Sequence, residues 1–285
     1  MTYRLFHDRF GTWAPRGAAI AVAALFTVAG WSCSGISEEA RTQSAADVEH
    51  GLGYLQECDT QGRCNVASAV VAWERSIRLN PENADAHRYL GTQLLVQGTY
   101  DRAEQLLRRA VALYERATQE DERLRAPLAE ARNTLGVVLM NTNRPDEALT
   151  LFRTVTEEIT YTTQHLAWGN LGWAYLRKGR YEDAAQALRR SVTVQPRFCV
   201  GWSRLGEAYY HLNDYGHALE ALDHALDSSQ QGCDRIQGAW LERARVRVQL
   251  HQADQARDDL RRCVELDSNS PEGRECAELG RSVSP

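Results

Sequence analysis

Lysine is almost absent from this 285-residue sequence: Lys178 is the only one, and all other basic residues are arginine. That bias reads as genome composition. Basic charge is not in excess either, since the formal net charge is −5. A nucleic-acid partner is therefore not expected, because such a partner selects for a basic patch. The apolar run from Ala18 to Ala29 is twelve residues long, too short to cross a bilayer as a helix. No HExxH, GxSxG or Walker-type loop occurs, and Gly51-Leu52-Gly53 is not followed by the rest of a phosphate loop. No CxxC pair exists, and no histidine stands at ligand spacing beside a cysteine, so neither a metal nor a cofactor is expected. His165, next to an apolar stripe, reads as a packing residue, and the Glu157-Glu158 pair as a solvated helix end. Neither an enzyme nor a small-molecule binder is indicated. With 43% apolar and 25% charged residues, the chain has the composition of a folded soluble protein.

What is present in quantity is a repeat. From Gln164 to Tyr210, large residues at Trp168, Leu171, Tyr175 and Leu188 alternate with small ones at Gly172, Ala184 and Ser191, and Pro196 follows. Thirty-four residues later the pattern restarts as Trp202, Leu205, Gly206 and Tyr209, and continues as Ala218, Leu222 and Ala225. Small residues let two antiparallel helices approach, large ones fill the space beside them, and proline cannot supply the N–H of a further turn. The period and residue types resemble the tetratricopeptide repeat. The resemblance implies an all-α superhelical solenoid of about six helix-turn-helix repeats plus a C-terminal capping helix.

The other repeats are less regular. The first starts at Leu52-Gly53 and finishes at Ala69, Trp73, Ser76 and Pro81. The second runs through Leu90, Gly91, Leu94, Ala103, Leu107 and Ala110. Its second helix continues past Tyr114 into a charged insertion that ends before Pro127. The third has Leu135, Gly136, Leu139, Ala148, Phe152 and Val155. The sixth is weaker, because Arg243 and Arg247 stand where large apolar residues are expected. Glu272 to Arg281 reads as a polar cap on the open end.

The N-terminus follows other rules. Arg4, Arg9 and Arg16, the apolar run, and then Gly30-Trp31-Ser32-Cys33 have the layout of an export signal over residues 1–32. A small residue before a cysteine resembles the bacterial lipobox, although Gly30 and Trp31 depart from its usual residues. Cys33 is the expected lipidation site, with Ser34 suiting onward passage to the outer membrane. Residues 33–45 read as a polar tether and 46–285 as the repeat domain. Six cysteines remain: Cys58, Cys64, Cys199, Cys233, Cys263 and Cys276. An even number in an exported chain points to disulfides. Fifteen pairings are open. The repeat register brings Cys58 and Cys64 together across a turn. It also sets Cys199 and Cys233 at equivalent ends of neighbouring helices, and Cys263 and Cys276 on consecutive helices.

In a tetratricopeptide array the first helix of each repeat lines a concave groove. Counting from each Leu-Gly pair places Leu95, Val137, Met140, Trp173, Leu176 and Tyr210 there as an apolar row that suits an amphipathic segment. The lysine, asparagine and arginine set with which tetratricopeptide co-chaperones clamp a carboxylate is missing. The stretches Thr163 to Tyr181, Gln195 to Tyr209 and Arg262 to Cys276 resemble the type IV pilus pilotins, the Tgl/PilF/PilW family. That resemblance implies a lipid bilayer partner through acylated Cys33, at the periplasmic face of the outer membrane. It also implies a secretin partner whose assembly the protein promotes for pilus biogenesis and motility. The competing expectation is a general periplasmic tetratricopeptide adaptor, for cytochrome maturation or polysaccharide export.

Overall fold

The contacts that build the array are made by glycines lying under large side chains. A Cβ at Gly91, Gly136, Gly172 or Gly206 would overlap Leu107, Phe152, Leu188 or Leu222 respectively, each sixteen residues further along. In each repeat the first helix thus lies against the second at its small residue. The computed structural model describes residues 35–59, 64–227, 229 and 232–283. Ile36 onward forms one unit. Its described residues carry thirteen α-helices, and their only β feature is an isolated bridge between Cys58 and Cys64.

The helices fall into six hairpins and a cap. They are α1 (Glu38–Gln56) with α2 (Val66–Leu79), α3 (Ala84–Val96) with α4 (Tyr100–Ala117), and α5 (Arg125–Asn141) with α6 (Pro145–Glu157). Then come α7 (Gln164–Arg177) with α8 (Tyr181–Val194), α9 (Cys199–His211) with α10 (Tyr215–Ala225), and α11 (Gln237–Gln249) with α12 (Ala253–Leu266). The cap is α13 (Pro271–Ser282), opened by the Ser270 side chain, which accepts from the Gly273 N–H, with Pro271 in the first turn. From α3 to α13 each first helix touches the next first helix, while successive second helices stand further apart. First helices therefore form the inner, concave layer of this unit.

The turn inside each hairpin is as regular as the packing. Gly98, Asn143, Gly179, Asn213 and His251 all have φ between 59° and 75°, and each lies seven residues after the small packed residue of its repeat. That left-handed residue lets the next N–H reach back five residues: Thr99 to the Leu94 carbonyl, Arg144 to Leu139, Arg180 to Tyr175, Asp214 to Tyr209 and Gln252 to Arg247. Among the described residues the first repeat has no such turn. In its place the Cys58–Cys64 disulfide closes a longer connection.

Three expectations are corrected here. The polar tether expected over 33–45 is helical from Glu38, which moves the start of the repeat domain from residue 46 to residue 38. Ser37 caps α1 by accepting from the Ala40 N–H at 3.1 Å, and Glu38 and Glu39 favour the positive end of the helix. The packing side of this segment is made of hydroxyls. Ser44 and Ser76 are fully buried, exchange hydrogen bonds at 2.8 Å, and receive the Asn83 amide, which also caps α3. Such a contact leaves no apolar period to read. Second, the packed glycine of the first repeat is Gly51, which lies under Trp73; Gly53 meets nothing. The connection lengthened by the disulfide shifts the spacing to 22 residues. Third, Arg243 and Arg247 do not leave a gap in the last repeat. Both reach the buried Asp259, at 2.7 and 2.6 Å, and Arg243 also reaches Asp223 at 2.8 Å.

The charged insertion after α4 is a longer helix, a turn and the 3-10 segment Glu122–Leu124. The signal over 1–32 and Cys33 lie outside the described residues.

Candidate functional site

The concave layer presents two different surfaces. At its N-terminal end the Arg88 guanidinium is buried. It bonds to Asp85 at 3.2 Å, Glu130 at 3.0 Å and the Tyr114 hydroxyl at 3.2 Å, and it lies 4.0 Å from the Tyr89 ring centre. Its donors are taken, so it ties α3, α4 and α5 together. Leu95 and Val137 are half-buried, and Val96 is 76% exposed.

The middle and C-terminal part is different. Trp173 and Tyr210 are half-buried, as expected for groove residues. Met140 and Leu176 are not available: they are 3% and 7% exposed and belong to the main core. Both lie four residues past the packed glycine, in the two central repeats. Leu95 and Tyr210 occupy the same register nearer the ends and stay partly open. The apolar row is thus interrupted, with Leu95 and Val137 on one side and Trp173 and Tyr210 on the other.

Sequence reasoning missed the charge that sits on Trp173. The Arg204 guanidinium of α9 lies 4.7 Å from the Trp173 ring centre on α7, and one of its nitrogens donates to the Gly169 carbonyl at 3.5 Å. Burial pulls its pKa down to about 10, and nearby Glu207 offsets only part of that. Glu207 itself is pushed up by burial, against the pull of His211, Arg204, Arg245 and Arg177. On the next first helix, burial pushes Glu242 up to about 7; Arg245 opposes the shift, and the Glu207 and Glu275 carboxylates add to it. Asn170 and Asn133 bridge α7 and α5 at 3.1 Å. This part of the layer therefore carries half-buried aromatics and desolvated charges. The signal in the sequence was present but indirect, since Arg204 and Glu207 occupy first-helix positions that in a solenoid face inward.

Other singled-out residues are structural. His165 packs edge-on to Phe198 at 5.2 Å, and burial lowers its pKa. Cysteine pairs follow the repeat register: Cys58–Cys64, Cys199–Cys233 and Cys263–Cys276 are disulfides. Among the described residues no group of three or more His, Cys, Asp and Glu side chains converges on a point, and no helix is long and apolar enough to cross a membrane.

Models described as tetratricopeptide repeat match residues 65–120, 127–197 and 201–231, more than half of the chain. The chain belongs to the tetratricopeptide repeat family. Tetratricopeptide scaffolds are in general protein-interaction modules rather than enzymes. Tetratricopeptide repeat protein 37 of Xenopus laevis is 27% identical over 226 residues; the match spans 68% of this chain but only 14% of that much longer protein. Two solved structures share the fold over nearly their whole length. PilW, a widely conserved type IV pilus biogenesis factor, superposes with a TM-score of 0.64 at 19% identity, covering 82% of this chain and 98% of PilW. PilF of Pseudomonas aeruginosa gives 0.65 at 21% identity, covering 85% of this chain and all of PilF.

Proposed function

We propose that this tetratricopeptide protein serves type IV pilus biogenesis as an outer-membrane lipoprotein pilotin. In this reading Cys33 carries the lipid, and the concave face holds secretin subunits while they assemble. The observation that carries the reading is the extent of the likeness to PilW and PilF. The match takes in 82–85% of this chain and 98–100% of those two structures, which supports an array of similar length. Tetratricopeptide arrays of other lengths are common, and agreement in length is what a shared role leaves behind. Trp173 and Tyr210 support the same reading, because partly open aromatics on a concave face are typical anchors for a bound segment.

The test compares wild type with Cys33→Ala in the native cell. Membranes are fractionated and heat-resistant secretin multimers assayed in the same samples. The expected outcome is loss of the protein from the outer membrane and loss of multimers, with secretin monomer still present. Normal multimers in cells that lack the gene altogether would overturn the pilotin role.

A further inference from the structure

The first helices α1, α3, α5, α7 and α9 begin at one edge of the unit, and contacts along that edge lead from each to the next. Ser44 in α1 receives the Asn83 amide, at the start of α3, at 2.8 Å. Ala84 of α3 packs on the cluster of Tyr114, Leu128 and Ala131, at the end of α4 and the start of α5. Ala129 of α5 clusters with Tyr161 and with Ala167 of α7. His165 of α7 meets Phe198, which directly precedes α9, at 5.2 Å. The chain enters the unit at this same edge, where Ser37 caps α1. Cys33 is four residues before Ser37, so their backbones stand no more than about 14 Å apart. Further along, the edge carries bare apolar side chains. Ile159 is 92% exposed, and Val194 and Val200, on either side of the α8–α9 connection, are exposed as well. The connection that bears Ile159 is pinned. Glu158 accepts from the Thr160 N–H and hydroxyl at 3.1 and 2.8 Å, Gln164 donates to the Glu158 carbonyl at 2.5 Å, and Tyr161 is buried. Between the two valines, Arg197 is exposed, with no ionic partner among the described residues.

We infer that this edge rests on the surface of the lipid bilayer to which Cys33 is tied. Ile159, Val194 and Val200 enter the boundary between headgroups and acyl chains, and Arg197 meets headgroup phosphates. Separate apolar side chains on turn tips suit a fluid apolar phase, which accepts each one singly and gains from the area removed from water. Their individual contributions are small, but a short tether holds the edge at high effective concentration next to the bilayer, so weak contacts suffice. Glu157, beside Ile159, is an exposed acid, so the contact draws on apolar transfer rather than on anionic lipid. In this orientation the helices stand upright on the bilayer, and the concave face opens sideways along it, within reach of a client in the same membrane. The inference rests on the proposed anchor at Cys33, and it adds which side of the array faces the lipid.

The experiment uses residues 33–285, which contain the whole folded unit. Cys33 is the one cysteine outside the three disulfides, so it can be coupled selectively to a maleimide lipid in phosphatidylcholine vesicles. Hydrogen exchange on the vesicles is compared with that of the same protein in solution, its Cys33 blocked with N-ethylmaleimide. Amides of 158–163 and 195–200 are expected to exchange at least threefold more slowly on the vesicles. The turns at Gly98, Asn143 and Gly179, at the opposite edge, should keep their solution rates. Ile159→Ser/Val194→Ser/Val200→Ser, tethered in the same way, should lose that protection with its circular dichroism unchanged. The inference is overturned if the two connections exchange equally fast in both settings, if the opposite edge is the protected one, or if the triple variant keeps the protection. It is also overturned if the same amides become protected in solution as protein concentration rises, which would make the edge a contact between copies. The coupling is chemical, so these results do not depend on acylation in the cell, which mass spectrometry of the N-terminal peptide from native membranes decides separately. An unacylated Cys33 there discards the anchor and the orientation with it, whereas an acylated Cys33 with unprotected connections discards the orientation alone.

Discussion

Substituting Asp259→Ala tests the least conventional part of the core. Asp259 is 1% exposed, and its two oxygens are held by Arg243 and Arg247, themselves mostly buried. Removing the carboxylate leaves two guanidiniums facing each other with little access to water. Breaking a buried pair from one side typically costs about 3–5 kcal/mol, because the surviving charge is uncompensated. Arg243 retains Asp223, whose side chain is 53% exposed, and this pulls the expectation towards the lower end, about 3 kcal/mol. In a solenoid the loss falls on the repeat that carries it and on its neighbours. Hydrogen exchange followed by mass spectrometry should therefore show α11, α12 and α13 losing protection while α3 to α8 keep theirs, and urea unfolding should gain an early phase. Replacing all three, as Arg243→Leu, Arg247→Leu and Asp259→Leu, should recover stability to within about 1 kcal/mol of wild type, since an apolar trio needs no compensation. A loss below about 1 kcal/mol for Asp259→Ala, or uniform loss of protection along the array, would refute the reasoning.

Three further outcomes are expected. His251→Gly should stabilise the last hairpin by about 0.5–1 kcal/mol, because a non-glycine residue held at φ 59° carries strain that glycine does not; a raised urea midpoint checks it. Glu242 is raised from 4.5 to about 7 in the fold, so between those values the native state holds a proton that the unfolded chain has released. Stability should therefore fall as pH rises from about 4.5 through 7, by on the order of 2 kcal/mol, and Glu242→Gln should flatten that slope in urea titrations at several pH values. Trp173→Ala with Tyr210→Ala should leave the circular dichroism spectrum unchanged and weaken binding of the secretin periplasmic region by about 2 kcal/mol or more; wild-type affinity would place the anchor elsewhere on the array.

The middle of the molecule was legible because its packing is written in residue size. Gly172 under Leu188 and Gly206 under Leu222 are local pairs at fixed spacing, and the 34-residue period repeats them. The start of α1 was not legible, because Ser44 and Ser76 meet through hydroxyls and a pattern of apolar residues does not register them. Gly51 was obscured by the disulfide loop, which breaks the sixteen-residue interval that marks the other pairs. At the concave face the register identified Trp173 and Tyr210 but not how deeply Met140 and Leu176 are buried. Arg204 over Trp173 depends on the rotation between two repeats, a quantity that no short window of sequence contains.

The cross-links have a mechanical consequence. All six disulfide cysteines lie at or before Cys64 or at or after Cys199, and residues 65–198 contain none. Cys199 and Cys233 are 34 residues apart, one full repeat, so their bond fixes the pitch between two neighbouring hairpins. Cys263–Cys276 then fastens the cap to the last hairpin. Between these clamps and Cys64, curvature rests on side-chain contacts alone. Under load, the array bends from α3 to α8 like a leaf spring with one end bolted. A client that straightens or tightens the arc therefore stores its elastic energy in that span, while the two cross-linked hairpins at the C-terminal end keep their spacing.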